Sequence, residues 1–230
     1  MISVQYKTIT FDLDEGVGIL HLNRPPSNVM TMDFFREFYE VITEIHLSLE
    51  TKALVISGKG RHYSSGTDLQ DLKKEILRQD TTRARYAKTE TPEFINLNYQ
   101  VFNRLEHSPI PVISSITGIC LGSAFELALS SHFRFCSPEA VFGLPETTFN
   151  LIPGLGGIPK MKALTGMART IELVLQGKTF SSEEALSYNL ADKIIAKKLL
   201  LKQSILFARS ISSGYRKEKH ILYLKTFFKI

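Results

Sequence analysis

Ser114-Ser115-Ile116-Thr117-Gly118-Ile119-Cys120-Leu121-Gly122-Ser123-Ala124-Phe125-Glu126 reads as the end of a short strand, a turn punctuated by two glycines, and the start of an apolar helix that carries one carboxylate. A strand running through a glycine turn into a helix is an α/β unit. A glutamate inside an otherwise apolar helix needs partners; without them desolvation pushes its proton affinity up. The stretch Gly118-Ile119-Cys120-Leu121-Gly122 also has the form of a nucleophile elbow with cysteine in place of serine. Two readings of Cys120 follow: the nucleophile of a thiol hydrolase, with His132 or His220 as downstream base, or a small buried side chain on a tight turn.

Working outward, Val17–Leu22 (VGILHL), Ala53–Ser57 (ALVIS), Val112–Ile116 (VISSI) and Phe133–Cys136 (FRFC) are short β-branched or aromatic runs bounded by turn residues. Helical spacing lies between them. Phe34, Phe38, Ile42 and Ile45 follow a Thr31 cap, Leu69, Leu72 and Ile76 follow Asp68, and Ile95, Tyr99, Phe102 and Leu105 form a third periodic run. Ser181 and Glu184 have capping-box spacing. Strands alternating with helices predict an α/β fold. Gln79–Pro92 is polar and aperiodic and reads as a loop, and no internal repeat is visible.

With 230 residues, 43% hydrophobic and 22% charged, the chain has the composition of a globular protein rather than a disordered one. The 28 Lys and Arg against 23 Asp and Glu leave a scattered excess of +5, which points to no nucleic-acid partner and suits a phosphorylated small ligand. The two cysteines form no CxxC pair and have no histidine at metal spacing, so no metal site and no disulfide framework are expected. The start of the chain alternates and carries acids, unlike a signal peptide, and no apolar run is long enough to span a bilayer. A cytoplasmic protein is the expectation. Gly154-Leu155-Gly156-Gly157-Ile158-Pro159 fails the dinucleotide and phosphate-loop patterns. A second acid in an apolar setting, Glu146 within Val141-Phe142-Gly143-Leu144-Pro145-Glu146, joins Glu126 as raw material for acid–base chemistry, each reading equally well as a cap or a salt-bridge partner.

Taken together, Ser114–Glu126, Phe142–Glu146 and Ile152-Pro153-Gly154-Leu155-Gly156-Gly157 resemble the enoyl-CoA hydratase/isomerase (crotonase) superfamily. Leu22–Met30 (LNRPPSNVM), Arg61–Leu69 (RHYSSGTDL) and Thr179–Asp192 extend the resemblance from about Val17 to Ile195. It implies a spiral of ββα units over residues 1–195, followed at 196–230 by a helical C-terminal region, shorter than usual, that serves trimerisation or closes the site. It also implies homotrimers or hexamers and an acyl thioester substrate, with coenzyme A as part of the substrate rather than a resident cofactor, or an acyl-carrier protein in its place.

The same resemblance places the oxyanion hole at the backbone N–H groups of Thr67 and Ser123, and assigns water addition across an enoyl double bond to Glu126 and Glu146. Ser27, Val29 and Asp68 match carrier-binding positions, Asp68 reading equally well as a helix cap. Lys59, Arg61, Lys73 and Lys74 lie near enough in sequence to meet the nucleotide phosphates. Hydration is the expected reaction. Isomerisation or another crotonase-type reaction, a non-catalytic thioester-binding subunit and the Cys120 thiol hydrolase are its alternatives.

Overall fold

A computed structural model of the chain describes residues 2–48, 50–74 and 93–213. Ten strands carry the architecture: β1 (Ile2–Gln5), β2 (Ile9–Asp14), β3 (Val17–Leu22), β4 (Ala53–Gly58), β5 (Val112–Ile116), β6 (Ile119–Leu121), β7 (Phe133–Cys136), β8 (Val141–Gly143), β9 (Phe180–Ser181) and β10 (Lys193–Ile194). Seven of them form one sheet in the order β1-β2-β3-β4-β5-β7-β10. The β1–β2 and β2–β3 pairs are antiparallel and the rest parallel.

The four strands expected from sequence are its centre, and their side chains show why they were legible. Leu20, Leu22, Leu54, Ile56, Val112 and Ile116 enter one core, while Val17, Ala53, Val55, Ile113 and Phe135 enter another on the opposite face. A parallel strand buried on both sides reads as a near-continuous apolar run, and the buried polar exceptions here include His21 and Ser57, hydrogen-bonded to each other, and Ser114, bonded to Tyr63 and Ser131. The first face is covered by α1 (Met32–Leu47) and α2 (Glu93–Glu106), with Phe34 stacked on Phe38 and Phe38 set edge-on to Phe102. The second is covered by a long helix, Lys197–Ser212, through Leu200 and Ala208. The Thr31 hydroxyl caps α1 at Phe34 N, and both halves of the Ser181–Glu184 capping box are made. Gln79–Pro92 lies outside the described residues, as does the chain beyond 213.

A smaller sheet, β6-β8-β9, runs beside the large one. It is lengthened by the single bridges Met30↔Thr67 and Ser64↔Cys120, so that consecutive turns of chain line up in it. Each turn repeats one path: a strand of the large sheet, a short extended piece of the small one, then a helix. β3, Met30 and α1 make one such unit. A second runs from β4 through 64–67 into a helix at 69–74, and a third from β5 through β6 into α3 (Ser123–Leu129). β7 and β8 lead likewise into the 3₁₀ turn Pro145–Phe149. This is the expected ββα spiral. The sequence shows no repeat because what recurs is a path of hydrogen bonds, with no fixed order of residues.

The first two units are tied by Asn28, which is 2% exposed. Its carbonyl accepts Arg24 N–H at 2.9 Å, and its amide nitrogen donates to Lys59 O at 2.9 Å and His62 O at 2.8 Å. Asn28→Ala removes the side-chain partner of these part-buried groups and of the buried Tyr63 O, each costing about 1–3 kcal/mol when buried and unpaired. Urea unfolding is expected to show a loss of about 3 kcal/mol. A change within the roughly 0.5 kcal/mol typical of surface substitutions contradicts this role.

Candidate active site

The site grows from the small sheet. Ser64 N–H donates to Ile119 O at 3.0 Å and Leu121 N–H to Ser64 O at 3.2 Å, which fixes 64–67 beside β6. On the other side Met30 N–H donates to Gly66 O at 2.8 Å, and Asp68 N–H to Met30 O at 2.9 Å. In a parallel bridge with that pattern the peptide groups of Thr67 face away from Met30, toward the turn at Gly122. Gly66 has φ +90°, and a Cβ there would stand 2.6 Å from Leu121 O, so only glycine lets the two segments approach so closely.

Gly122, at φ +57°, then turns the chain into α3. The N–H of Ser123, first in that helix, has no intrahelical acceptor. Thr67 and Ser123 are therefore neighbours across the turn, and their hydroxyls are 2.7 Å apart in a hydrogen bond with each other. Their side chains are thus bonded to each other.

Glu126, in the first turn of α3, is 2% exposed. Its Oε1 accepts the N–H groups of Leu155 and Gly157, both at 2.9 Å, where the Gly-rich segment opens α4 (Gly157–Thr165). Burial raises its proton affinity; those two N–H groups and the Lys160 charge oppose the rise. Glu146, in the 3₁₀ turn, is pushed up to about 7 by burial and by the negative charge of Glu126. Its Oε1 lies 3.1 Å from where a Cβ on Gly122 would be, and its Oε2 is buried with no hydrogen-bond partner among the described residues.

Thr67, Ser123, Glu126 and Glu146 all line one cavity of about 340 Å³. Its remaining wall is largely apolar, including Met32, Phe35, Leu69, Leu72 and Phe149, with Asn98 as a buried amide. Sequence periodicity placed Leu69 and Leu72 on a helix, but nothing in the linear pattern marked Phe35, Asn98 or Phe149 as site residues, because their convergence depends on the sheet pairing.

The other expected positions behave differently. Ser27, Val29 and Asp68 do not line this cavity. Ser27 O accepts Ser65 N–H at 2.9 Å, and Asp68 Oδ1 accepts Gln70 N–H at 3.0 Å and Asp71 N–H at 3.2 Å, so Asp68 is a helix cap. The nucleophile-elbow reading of Cys120 is corrected. Cys120 is in the middle of β6, paired with Phe142 and bridged to Ser64, and the turn into the helix comes later, at Gly122. Its thiol is 0% exposed and burial drives its pKa well up, against the formation of a thiolate. Nδ1 of His132, one of its two supposed bases, accepts Val112 N–H instead. Among the described residues no cluster of three or more His, Cys, Asp or Glu is placed to hold a metal ion, and no helix is long and apolar enough to cross a membrane.

Comparison with known proteins shows the family. The family model for enoyl-CoA hydratase/isomerase matches residues 12–228. The chain belongs to the enoyl-CoA hydratase/isomerase family. It is 33% identical over 204 residues to the fatty acid oxidation complex subunit alpha of Shewanella halifaxensis, spanning 85% of this chain and 27% of that much longer protein. It is 28% identical to a probable enoyl-CoA hydratase of Bacillus subtilis over 79% of this chain and 67% of the relative. It is equally, 28%, identical to a peroxisomal Δ(3,5)-Δ(2,4)-dienoyl-CoA isomerase of Arabidopsis thaliana, over 84% and 71% of the two chains. The crystal structure of an enoyl-CoA hydratase from Bacillus anthracis superposes with a TM-score of 0.81 at 27% identity, covering 95% of this chain and 81% of that one.

The environment of Glu146 yields a pH test. Its folded-state pKa, about 7, lies above the ordinary value of 4.5, so between these the folded protein holds the proton more tightly than the unfolded chain does. This contribution to stability is whole below about 4.5 and is lost as pH rises through about 7. Glu146→Gln removes it. Urea unfolding is expected to show the variant gaining on the wild type between pH 5 and pH 8; parallel pH dependences contradict the assignment.

Proposed function

We propose that the chain is an enoyl-thioester hydratase. The observation that supports this reading most is the meeting, in one cavity, of two carboxylates in unlike environments with the turn that presents the Thr67 and Ser123 N–H groups. The thioester carbonyl would accept from those two N–H groups, the second at the start of α3, where the helix dipole favours developing negative charge. Removing one such donor typically costs about 3–4 kcal/mol in the transition state. The apolar wall around Leu69, Leu72 and Phe149 would take the acyl chain.

In this mechanism Glu126, held by Leu155 and Gly157, orients water and takes its proton as oxygen adds to the β-carbon of the enoyl group. Glu146, whose neutral form persists to about pH 7, gives its proton to the α-carbon of the enolate. The incoming H and OH are both accounted for, and proton exchange through water returns the pair to its starting state. The carrier is coenzyme A, or the phosphopantetheine arm of an acyl-carrier protein, and no resident cofactor is invoked. A homotrimer or hexamer accompanies this reading, supported by the exposed apolar side chains of Phe149, Ile152, Met167, Ile171 and Leu175.

A second reading is favoured by the Glu146 environment alone. A single carboxyl group poised near neutrality can take a proton from one carbon of an enoyl thioester and return it to another, which is isomerisation. The two readings divide on Glu126.

Mass spectrometry after incubation with crotonyl-CoA is expected to show a gain of one water, with Glu126→Gln and Glu146→Gln each slowing it by about 10²–10⁴-fold. If the wild type adds no water but interconverts 3-enoyl and 2-enoyl thioesters, and Glu126→Gln preserves that rate, the isomerase reading replaces the hydratase. Binding without any turnover leaves the thioester-binding subunit.

A further inference from the structure

Lys160 is a residue that the sequence did not mark and the proposed chemistry does not use. It is 7% exposed, in the first turn of α4, three residues after the Gly157 N–H that binds Glu126. Its Nζ donates to Ser130 Oγ at 2.8 Å and stands 3.5 Å from Oε2 of Glu106, on α2. Ser130 Oγ in turn donates to the backbone carbonyl of Glu126 at 2.7 Å. The contacts close a ring: Glu126 carboxylate, Gly157 N–H, first turn of α4, Lys160, Ser130, Glu126 carbonyl.

A lysine so deeply buried costs several kcal/mol in desolvation unless its charge is matched. Glu106, itself partly exposed, supplies only one side of that match. A neutral clamp would join α3 to α4 without the cost, so the placing of a charge here calls for a use of the charge itself.

We propose that Lys160 is a positioning residue for Glu126: through Ser130 and the first turn of α4 it locks the carboxylate in place, and its ammonium supplies the cation on that side of the carboxylate pair. The charges around Glu126 divide accordingly. Lys160 approaches from α4 and favours the carboxylate; Glu146, on the 3₁₀ turn, opposes it, and Glu106, beyond Lys160 on α2, partly offsets the lysine. Cys120, on the β6 strand packed against α3, is held neutral by burial. With Lys160 uncharged, the two carboxylates would share a cavity that no cation lines among the described residues.

This inference rests on the reading of Glu126 as the water-activating base, and the test separates the two. Lys160→Gln keeps a hydrogen-bond donor, one bond short of the lysine's reach, but removes the charge, whereas Lys160→Arg restores the charge. Two measurements are made on each folded protein: the pH profile of crotonyl-CoA hydration, and titration of the Glu126 carboxyl by ¹³C NMR without substrate, assigned with Glu126→Gln.

Lys160→Gln is expected to lower kcat by about tenfold with little change in KM. The ascending limb of the profile and the Glu126 titration should both move up by about half a pH unit or more, and Lys160→Arg should reverse the shift. A uniform drop in kcat, with the limb and the titration unmoved, overturns the proposal and makes Lys160 a fastening only. If the titration moves but the wild type hydrates nothing, Lys160 keeps its role and the hydratase reading falls. Should the Lys160 variants not fold, the linkage can be read in reverse: Glu126→Gln must lower the titration of ¹⁵N-labelled Lys160, and an unchanged Lys160 contradicts the coupling.

Discussion

The pairing of 64–67 with β6 is the constraint on which the rest of this site depends. Those few backbone hydrogen bonds, made possible where Gly66 lies against Leu121 O, set the Thr67 peptide beside the start of α3. Neither N–H is special in itself. A donor facing away from its bridge partner and a donor at a helix start are both ordinary consequences of secondary structure. What makes them a pair is that two ββα units lie side by side at a fixed register, and Asn28 and the double-sided core hold that register. The geometry of the candidate site is a by-product of sheet geometry.

The two carboxylates illustrate how environment separates chemically identical groups. Glu126 is the more buried but receives two N–H groups and faces a buried ammonium, so its anion has partners. Glu146 has an unpaired buried oxygen and a negative neighbour, and its proton is held to about pH 7. Burial raises the proton affinity of both, but the two anions are stabilised unequally: Glu126 has two N–H donors and Glu146 has a like charge beside it.

Much of this was legible in the sequence, and the reasons are physical. Val17–Leu22, Ala53–Ser57, Val112–Ile116 and Phe133–Cys136 declared themselves because strands buried on both faces are mostly apolar and β-branched or aromatic. Caps at Thr31, Asp68 and Ser181 were readable because a cap is a contact over two or three residues. Glu126 and Glu146 stood out as acids in apolar company. By contrast β8, β9 and β10, of two or three residues each, are too short to show a period, and β6 was taken for part of a turn, which misled the reading of Cys120. Asn98, Lys160 and the meeting of the two acids were invisible for a different reason: each depends on contacts between segments some 20 to 60 residues apart.

The central claim is that the N–H groups of Thr67 and Ser123 polarise a thioester carbonyl. Isotope-edited infrared spectroscopy of crotonyl-CoA carrying a ¹³C carbonyl, bound to a Glu126→Gln/Glu146→Gln double variant that holds it unreacted, tests this without relying on turnover. Two donors on the oxygen predict a carbonyl stretch shifted clearly to lower frequency on binding. A bound thioester whose carbonyl stretch matches that in free solution would contradict the account.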